Sequence, residues 1–311
     1  MKKPRIAKII LPIALEREFD YSMPDSLNAK LGSRLLVDFR GSKAIGILSK
    51  IVHNSAIAKI KPVIEALDTN PALSQDAIKF AKQLSEYYPY PLGEFLFMML
   101  PGYLKKLRPT DLPSFEKEVN VNATQNLFVK AATFEKRYGM WKKFVINKLK
   151  FGSVLIILPQ ISYLNEAKKI IEKDFPELKV MHGYQTEKEL FQSWLSTRKN
   201  SLILGSRMAL FYYPYDLELV IIEEENNPYY FQEEKPFYHL FDVVAILSKI
   251  KKMDTIFGAS YPSISAYNLI SQKKLKLEEK EEPAKEISII NIGEYKRQLI
   301  SPLLVELLNK S

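Results

Sequence analysis

Three consecutive carboxylates, Glu223-Glu224-Glu225, followed by Asn226, are the residues of this 311-residue chain best placed to do chemistry. They come directly after Leu219-Val220-Ile221-Ile222, an unbroken apolar run of the kind buried on both faces of a parallel sheet. Acidic residues at the C-terminal end of such a strand sit where α/β sheets hold their ligands. In a nucleotide hydrolase, one such carboxylate organises Mg²⁺ and the next orients a water. Taken alone, an acidic triplet is more often a solvated loop after a core strand. Other chemistries are thinly supplied. There are no cysteines, hence no disulfide and no thiolate zinc site, and the three histidines, His53, His182 and His239, lie far apart.

The elements that must position the carboxylates can be read from pattern. From about Leu127 strands and helices alternate. Leu127–Val129, Ser153–Leu158, Leu178–Met181, Leu202–Leu204, Leu217–Ile222 and Thr255–Phe257 read as strands. Glu135–Lys150, Ser162–Phe175, a segment opened by the capping box Thr186-Glu187-Lys188-Glu189, His239–Lys251 and Ser263–Ile270 read as helices. That alternation predicts right-handed βαβ crossovers and a parallel sheet. Lys273–Glu286 reads as a solvated charge run, Ile287–Ile292 as a last strand, and Ser301-Pro302 as the start of a last helix.

The opening differs. Residues 5–12, 35–39, 44–51 and 60–67 read as strands, with a turn at Gly41-Ser42. A helix follows from the cap Ser74 to about Tyr88, broken by Pro89 and Pro91, and then a short helix over Gly93–Leu100. Lys105–Asn126, with Pro109, Pro113 and no period, reads as a linker. Residues 1–110 carry 17 Lys/Arg against 10 Asp/Glu, so most of the net charge of +9 lies in the first part, which suits a polyanion. No apolar run approaches the roughly 18 residues of a membrane helix. No leader is expected ahead of Met1-Lys2-Lys3-Pro4, because the next apolar run is broken by Lys8 and Pro12.

Several short motifs occur in a fixed order. Ile10-Leu11-Pro12 precedes Glu18-Phe19-Asp20-Tyr21, then Arg34 to Phe39, then Lys61-Pro62-Val63, then Tyr87-Tyr88-Pro89-Tyr90-Pro91-Leu92-Gly93-Glu94. Further on come Leu158-Pro159-Gln160, His182-Gly183, Gly205-Ser206-Arg207-Met208-Ala209-Leu210-Phe211, Gln232-Glu233-Glu234 and Gly258-Ala259-Ser260-Tyr261-Pro262-Ser263. The ordered set resembles primosomal protein N′, the PriA family of bacterial replication-restart helicases, over roughly residues 4–108 and 127–305. The resemblance implies a domain that captures the 3′ end of a nascent strand, with Phe19, Asp20 and Lys61 in its pocket. An aromatic face can stack on the terminal base. A carboxylate can accept a bond from the 3′-hydroxyl and repel a 3′-phosphate. A lysine can neutralise the adjoining phosphodiester. It also implies that the second part is the first RecA-like lobe of a superfamily 2 helicase, where Arg207 is a possible contact to the DNA backbone or else a structural ion pair.

The departures from the family pattern bear on activity. Where the family has a glycine-rich phosphate loop, this chain has Lys130-Ala131-Ala132-Thr133-Phe134-Glu135-Lys136-Arg137. All three glycines are replaced, and side chains obstruct the converging amides that a phosphate cradle needs. Lys136 keeps the lysine's place and reads as a surface residue; Arg137 takes the place of the hydroxyl that ligates Mg²⁺. The Asp-Glu-Glu-His box is Glu223-Glu224-Glu225-Asn226, which moves the metal-side carboxylate by about one carbon–carbon bond, a misplacement of a size that can cost ~100-fold in rate.

The expectation is therefore an α/β protein. An N-terminal small β-rich domain with helices (1–104) is followed by a linker without the family's winged helix (105–126) and a degenerate RecA-like, P-loop NTPase-type parallel α/β lobe (127–311). It would recognise 3′-ended or branched fork DNA without ATPase or helicase activity. Lys136, Glu223 and Glu224 would be vestigial, and neither ATP/Mg²⁺ nor zinc would serve as cofactor. Replication-restart proteins or a helicase-loading partner are the protein partners implied, in the cytoplasm at the nucleoid and away from membranes. The alternatives are a split helicase completed by a separate second lobe, and a protein-interaction module that no longer uses DNA.

Overall fold

The apolar runs of the second part form a buried sheet. In the computed structural model, which describes residues 5–114, 124–197 and 200–280, seven strands make one parallel sheet. They are β6 (Asn126–Lys130), β7 (Ser153–Ile157), β8 (Lys179–Met181), β9 (Leu202–Gly205), β10 (Leu217–Glu223), β13 (Asp254–Ala259) and β14 (Lys276–Glu279). Their order is β14-β6-β13-β10-β7-β9-β8. Every residue of β7, β10 and β13 is buried, as a strand covered on both faces requires. The register places Glu223 beside Gly258 and Ile222 beside Ile157, so the carboxylates emerge at the C-terminal edge between two neighbouring strands.

Most helices of this part begin at side-chain caps, of which Thr186 is the one that the sequence marks. Thr133 opens α3 (Phe134–Lys148), and Thr186 opens α5 (Glu187–Ser196) with both halves of its capping box formed. Ser263 caps α7 (Ile264–Ser271), and α4 (Ile161–Ile171) and α6 (Leu240–Lys251) complete the covering layers. A small antiparallel pair, β11 (Phe231–Gln232) and β12 (Tyr238–His239), follows the carboxylates; at two residues a side it is too short to leave a pattern in the sequence.

The opening segment is an antiparallel sheet of order β2-β1-β4-β3-β5, from β1 (Ile6–Ile10), β2 (Phe19–Ser22), β3 (Arg34–Phe39), β4 (Ser42–Val52) and β5 (Glu65–Ala66). β2 has no counterpart among the strands expected from sequence. The strand expected over residues 60–67 shrinks to β5 and one bridge from Pro62 to Ser22, because Lys59 to Pro62 is mostly exposed and joins no continuous ladder. Ser74 caps α1 (Gln75–Tyr87) by accepting from the Ala77 amide at 3.1 Å, and α2 (Leu92–Met98) follows.

These two helices join the sheets. One continuous apolar cluster runs from Ile10, Leu36 and Ile47 through Phe80, Leu84, Phe95 and Leu96 to Phe128, Leu155 and Val220. Phe80 stacks on Phe211 at 6.4 Å, and the Tyr88 hydroxyl donates to Asp242 at 3.0 Å.

Two stretches differ from expectation. The first half of 105–126 is not loose chain. The guanidinium of Arg34, fully buried, bonds both oxygens of Asp68 and the carbonyls of Leu104, Lys106 and Arg108, which fastens residues 104–110 to the first sheet. The charge run at 273–286 is in part a strand: β14 pairs with β6, since an edge strand needs only its backbone to join and leaves Lys276 and Glu279 in water. The expected last strand at 287–292 and last helix at 301 lie outside the described residues.

Candidate functional site

Two regions hold the residues singled out from sequence. The first is the rim of the antiparallel sheet. Phe19 and Tyr21 share one face of β2, and Asp20 points to the other by strand alternation. The Phe19 ring meets Phe39 edge-on at 5.3 Å, the Arg17 guanidinium lies 4.8 Å over Phe19, and that of Arg40 lies 5.4 Å from the Phe39 centroid. Lys61 reaches Asp38 at 2.7 Å, and the Tyr21 hydroxyl donates to the Asp38 carbonyl at 3.0 Å. The half-buried rings of Phe19 and Phe39 thus meet beneath the exposed cations Arg17 and Arg40, while Lys61 pairs with the side chain of Asp38, which strand alternation turns to the other face from Phe39.

Asp20 is engaged elsewhere. Its side chain is only 4% exposed, bonded by Lys8 at 2.5 Å from the neighbouring strand and by the Ser55 hydroxyl. Burial opposes its ionisation, but the Lys8 and Ser55 bonds outweigh this and hold its pKa below the ordinary value. The turn joining β3 to β4 consists of Arg40 (φ 53°) and Gly41 (φ 86°). Both residues of a two-residue hairpin turn of this kind need positive φ, so Arg40 adopts the conformation that glycine would take freely.

The second region is the edge of the parallel sheet. Arg137, in the first turns of α3, is 1% exposed. Its Nε donates to Glu223 Oε2 at 2.8 Å, its Nη1 to the Ala131 carbonyl at 2.8 Å, and its Nη2 to Glu224. Trp141, one turn on and fully buried, donates to the other oxygen of Glu223 at 2.7 Å. Burial works against the guanidinium's charge, but Glu223 and Glu224 outweigh it and raise the Arg137 pKa. Burial raises the pKa of Glu223, yet each of its oxygens already accepts a hydrogen bond, so we read the pair as ionised. Gly258 makes room for this arrangement: a Cβ there would stand 2.7 Å from Glu223 Oε1. Glu224 turns out of the strand at φ 53°.

The remaining residues are placed as follows. Lys136 is exposed beside Arg137, with its amide bonded to the Thr133 hydroxyl. Glu225 accepts from the Ser263 amide at 2.6 Å, tying the carboxylate loop to the cap of α7. Arg207 donates to the carbonyls of Tyr229 and Phe231 at 2.7 and 2.8 Å, so it holds the loop after β10 through backbone carbonyls rather than through an ion pair with the acidic residues.

Residues 8–101, the antiparallel sheet with α1 and α2, match the family model of the 3′DNA-binding domain (3′BD) of PriA. Replication restart protein PriA of Rickettsia conorii is 25% identical over 293 residues, covering 88% of this chain and 45% of the relative. That of Haemophilus influenzae is 21% identical, covering 87% of this chain and 51% of its own. The chain is PriA-like. It spans about half the length of the curated PriA relatives it matches. The Haemophilus alignment runs to 371 positions, more than the whole of this chain, so that PriA has residues inside the matched span that the PriA-like chain lacks. Among solved structures, the C-terminal domain of Dbp5 from S. cerevisiae aligns with 50% of this chain and 90% of its own at 12% identity and a TM-score of 0.37, too slight a likeness to add to the assignment.

Within this PriA-like frame, the structure pairs Phe19 with Phe39, Lys61 with Asp38 and Asp20 with Lys8. It brings Arg137 to Glu223 and Glu224, while the Lys136 side chain stays exposed. Asp38, Ser55 and Trp141 are not among the residues that the sequence singles out. Only Trp141 carries a local signal, its spacing of one helical turn from Arg137.

Proposed function

We propose that this PriA-like chain binds the 3′ end of a DNA strand, at forks or branches, and does not hydrolyse ATP. The match of residues 8–101 to the 3′DNA-binding domain carries the reading. The cluster of Phe19, Phe39, Arg17 and Arg40, with Lys61 on neighbouring Asp38, supports it. Aromatic faces at a sheet rim suit stacking on an end base, and the cations suit the phosphates behind it. Asp20 already accepts one bond on each oxygen and its side chain is only 4% exposed, so a 3′-hydroxyl would reach its remaining lone pairs only if the surrounding side chains open.

The Arg137 network supports the absence of a motor. The residues present do not fit a phosphate-bound Mg²⁺: a guanidinium already neutralises the carboxylates that would face the metal, Lys130, Thr133 and Glu135 replace the loop glycines, and Phe134 and Glu135 put bulk and negative charge where phosphate would lie. On this reading the parallel lobe is a scaffold for DNA or for replication-restart proteins, in the cytoplasm.

The test is fluorescence anisotropy of a labelled fork ending in a 3′-hydroxyl against the same fork ending in a 3′-phosphate, with ATP hydrolysis measured in parallel. Tighter binding to the hydroxyl end and no DNA-stimulated hydrolysis are expected. Equal affinity for both ends would remove 3′-end recognition; hydrolysis lost in Glu224→Gln would restore the motor.

A further inference from the structure

We propose that Arg137 is the resident cation of the parallel lobe, filling in permanently the place that a nucleotide-bound divalent ion would hold, so that the sheet edge is tied together with neither metal nor nucleotide. The inference rests on the reading of the lobe as a scaffold without a motor and adds what holds that scaffold.

Three acceptors from two strand ends converge on one side chain. Ala131 follows β6, Glu223 ends β10, and Glu224 begins the loop beyond it. β13 lies between β6 and β10 and contributes Gly258, the gap into which Glu223 fits. Two carboxylates so close repel each other unless a cation lies between them. In a buried position the cation must also satisfy their lone pairs. The planar fork of arginine does both, and a lysine at this place would offer a point charge without the fork. Trp141 completes the shell on the remaining oxygen of Glu223. Arg137 lies on the opening turn of α3, so the same contacts dock that helix onto the sheet edge.

A resident cation leaves a shaped vacancy when removed. In Arg137→Ala the space between Ala131, Glu223 and Glu224 would accept a free guanidinium ion, which carries the same charge and the same donors. The experiment is thermal unfolding of the full chain and of Arg137→Ala, with millimolar guanidinium chloride, sodium chloride at equal ionic strength, or urea. A melting temperature about 10 °C lower is expected for the variant, from the loss of a buried partner. Guanidinium should restore part of it, sodium and urea none, and the parent should not respond to guanidinium, Mg²⁺ or ATP. Parent-like melting of the variant, or equal responses to guanidinium and sodium, would overturn the proposal. Should Arg137→Ala fail to fold, Arg137→Lys decides: a lowered melting temperature supports the need for a fork, and parent-like melting overturns it. Hydrolysis by the parent chain is a separate reading that tests the absent motor alone.

Discussion

Arg137 and Glu223 stand 86 residues apart in sequence and 2.8 Å apart in the fold, both closed to solvent. Removing one partner of such a pair strands the other in an apolar surround. Glu223→Met is expected to destabilise the chain by about 3–5 kcal/mol. Trp141→Phe, which only orphans one carboxylate oxygen, should cost about 1–3 kcal/mol. Urea denaturation of the two variants checks the order, and an equal loss in both would contradict this division of roles between Arg137 and Trp141.

Gly258 tests the same network by steric means. A methyl group would press on Glu223 Oε1 at 2.7 Å in a close-packed edge. Gly258→Ala is expected to cost about 1–3 kcal/mol, the ordinary range for overpacking. In an Arg137→Ala background the penalty should shrink, since Glu223 is then free to move.

Arg34 holds the segment after α2. Its guanidinium bonds Asp68 and three carbonyls between Leu104 and Arg108. Arg34→Met is expected to free the backbone of that segment and speed tryptic cleavage after Lys105, Lys106 and Arg108. Limited proteolysis compares the first cleavage in variant and parent, and unchanged cleavage would mean that the apolar contacts of Leu104 and Leu112 suffice.

The acidic side chains of the first sheet make its stability depend on pH. The pKa of Asp20 is lowered by Lys8 and Ser55 against the effect of burial, and that of Glu18 by Ser49, Lys82 and Lys50 against the same effect. A carboxylate with a lowered folded pKa stabilises the fold above its unfolded pKa and loses that contribution as pH falls through the folded value. Urea midpoints should therefore hold steady above about pH 5 and fall below about pH 4. Lys8→Met should flatten the Asp20 part of the decline.

DNA binding separates the two kinds of contact at the sheet rim. Lys61→Ala should weaken binding across sequences and lower the slope of log affinity against log salt by about 1. Phe19→Ala should weaken binding by about 1–3 kcal/mol, the range for one stacked base, with the salt slope kept. Anisotropy titrations at several salt concentrations read both, and an unchanged slope in Lys61→Ala would remove Lys61 from the phosphate.

What can be read from sequence is whatever depends on near neighbours. Apolar runs place β7, β10 and β13, since a strand covered on both faces needs no polar alternation. Ser74, Thr133, Thr186 and Ser263 stand at helix starts because each cap bonds an amide within its own first turn. The loss of the loop glycines is legible residue by residue. Tertiary structure alone decides which partners the charges find. Arg137 opens a helix, where an arginine ordinarily faces water, and only the sheet edge turns it onto Glu223 and Glu224. Lys61 and Asp20 belong to one set of motifs, yet strand alternation and the hairpin at Arg40 give Lys61 to Asp38 and Asp20 to Lys8. β14 joins the sheet through its backbone, which side-chain pattern does not report. Long-range pairing of charges follows from the packing of whole elements, and local spacing carries no record of it.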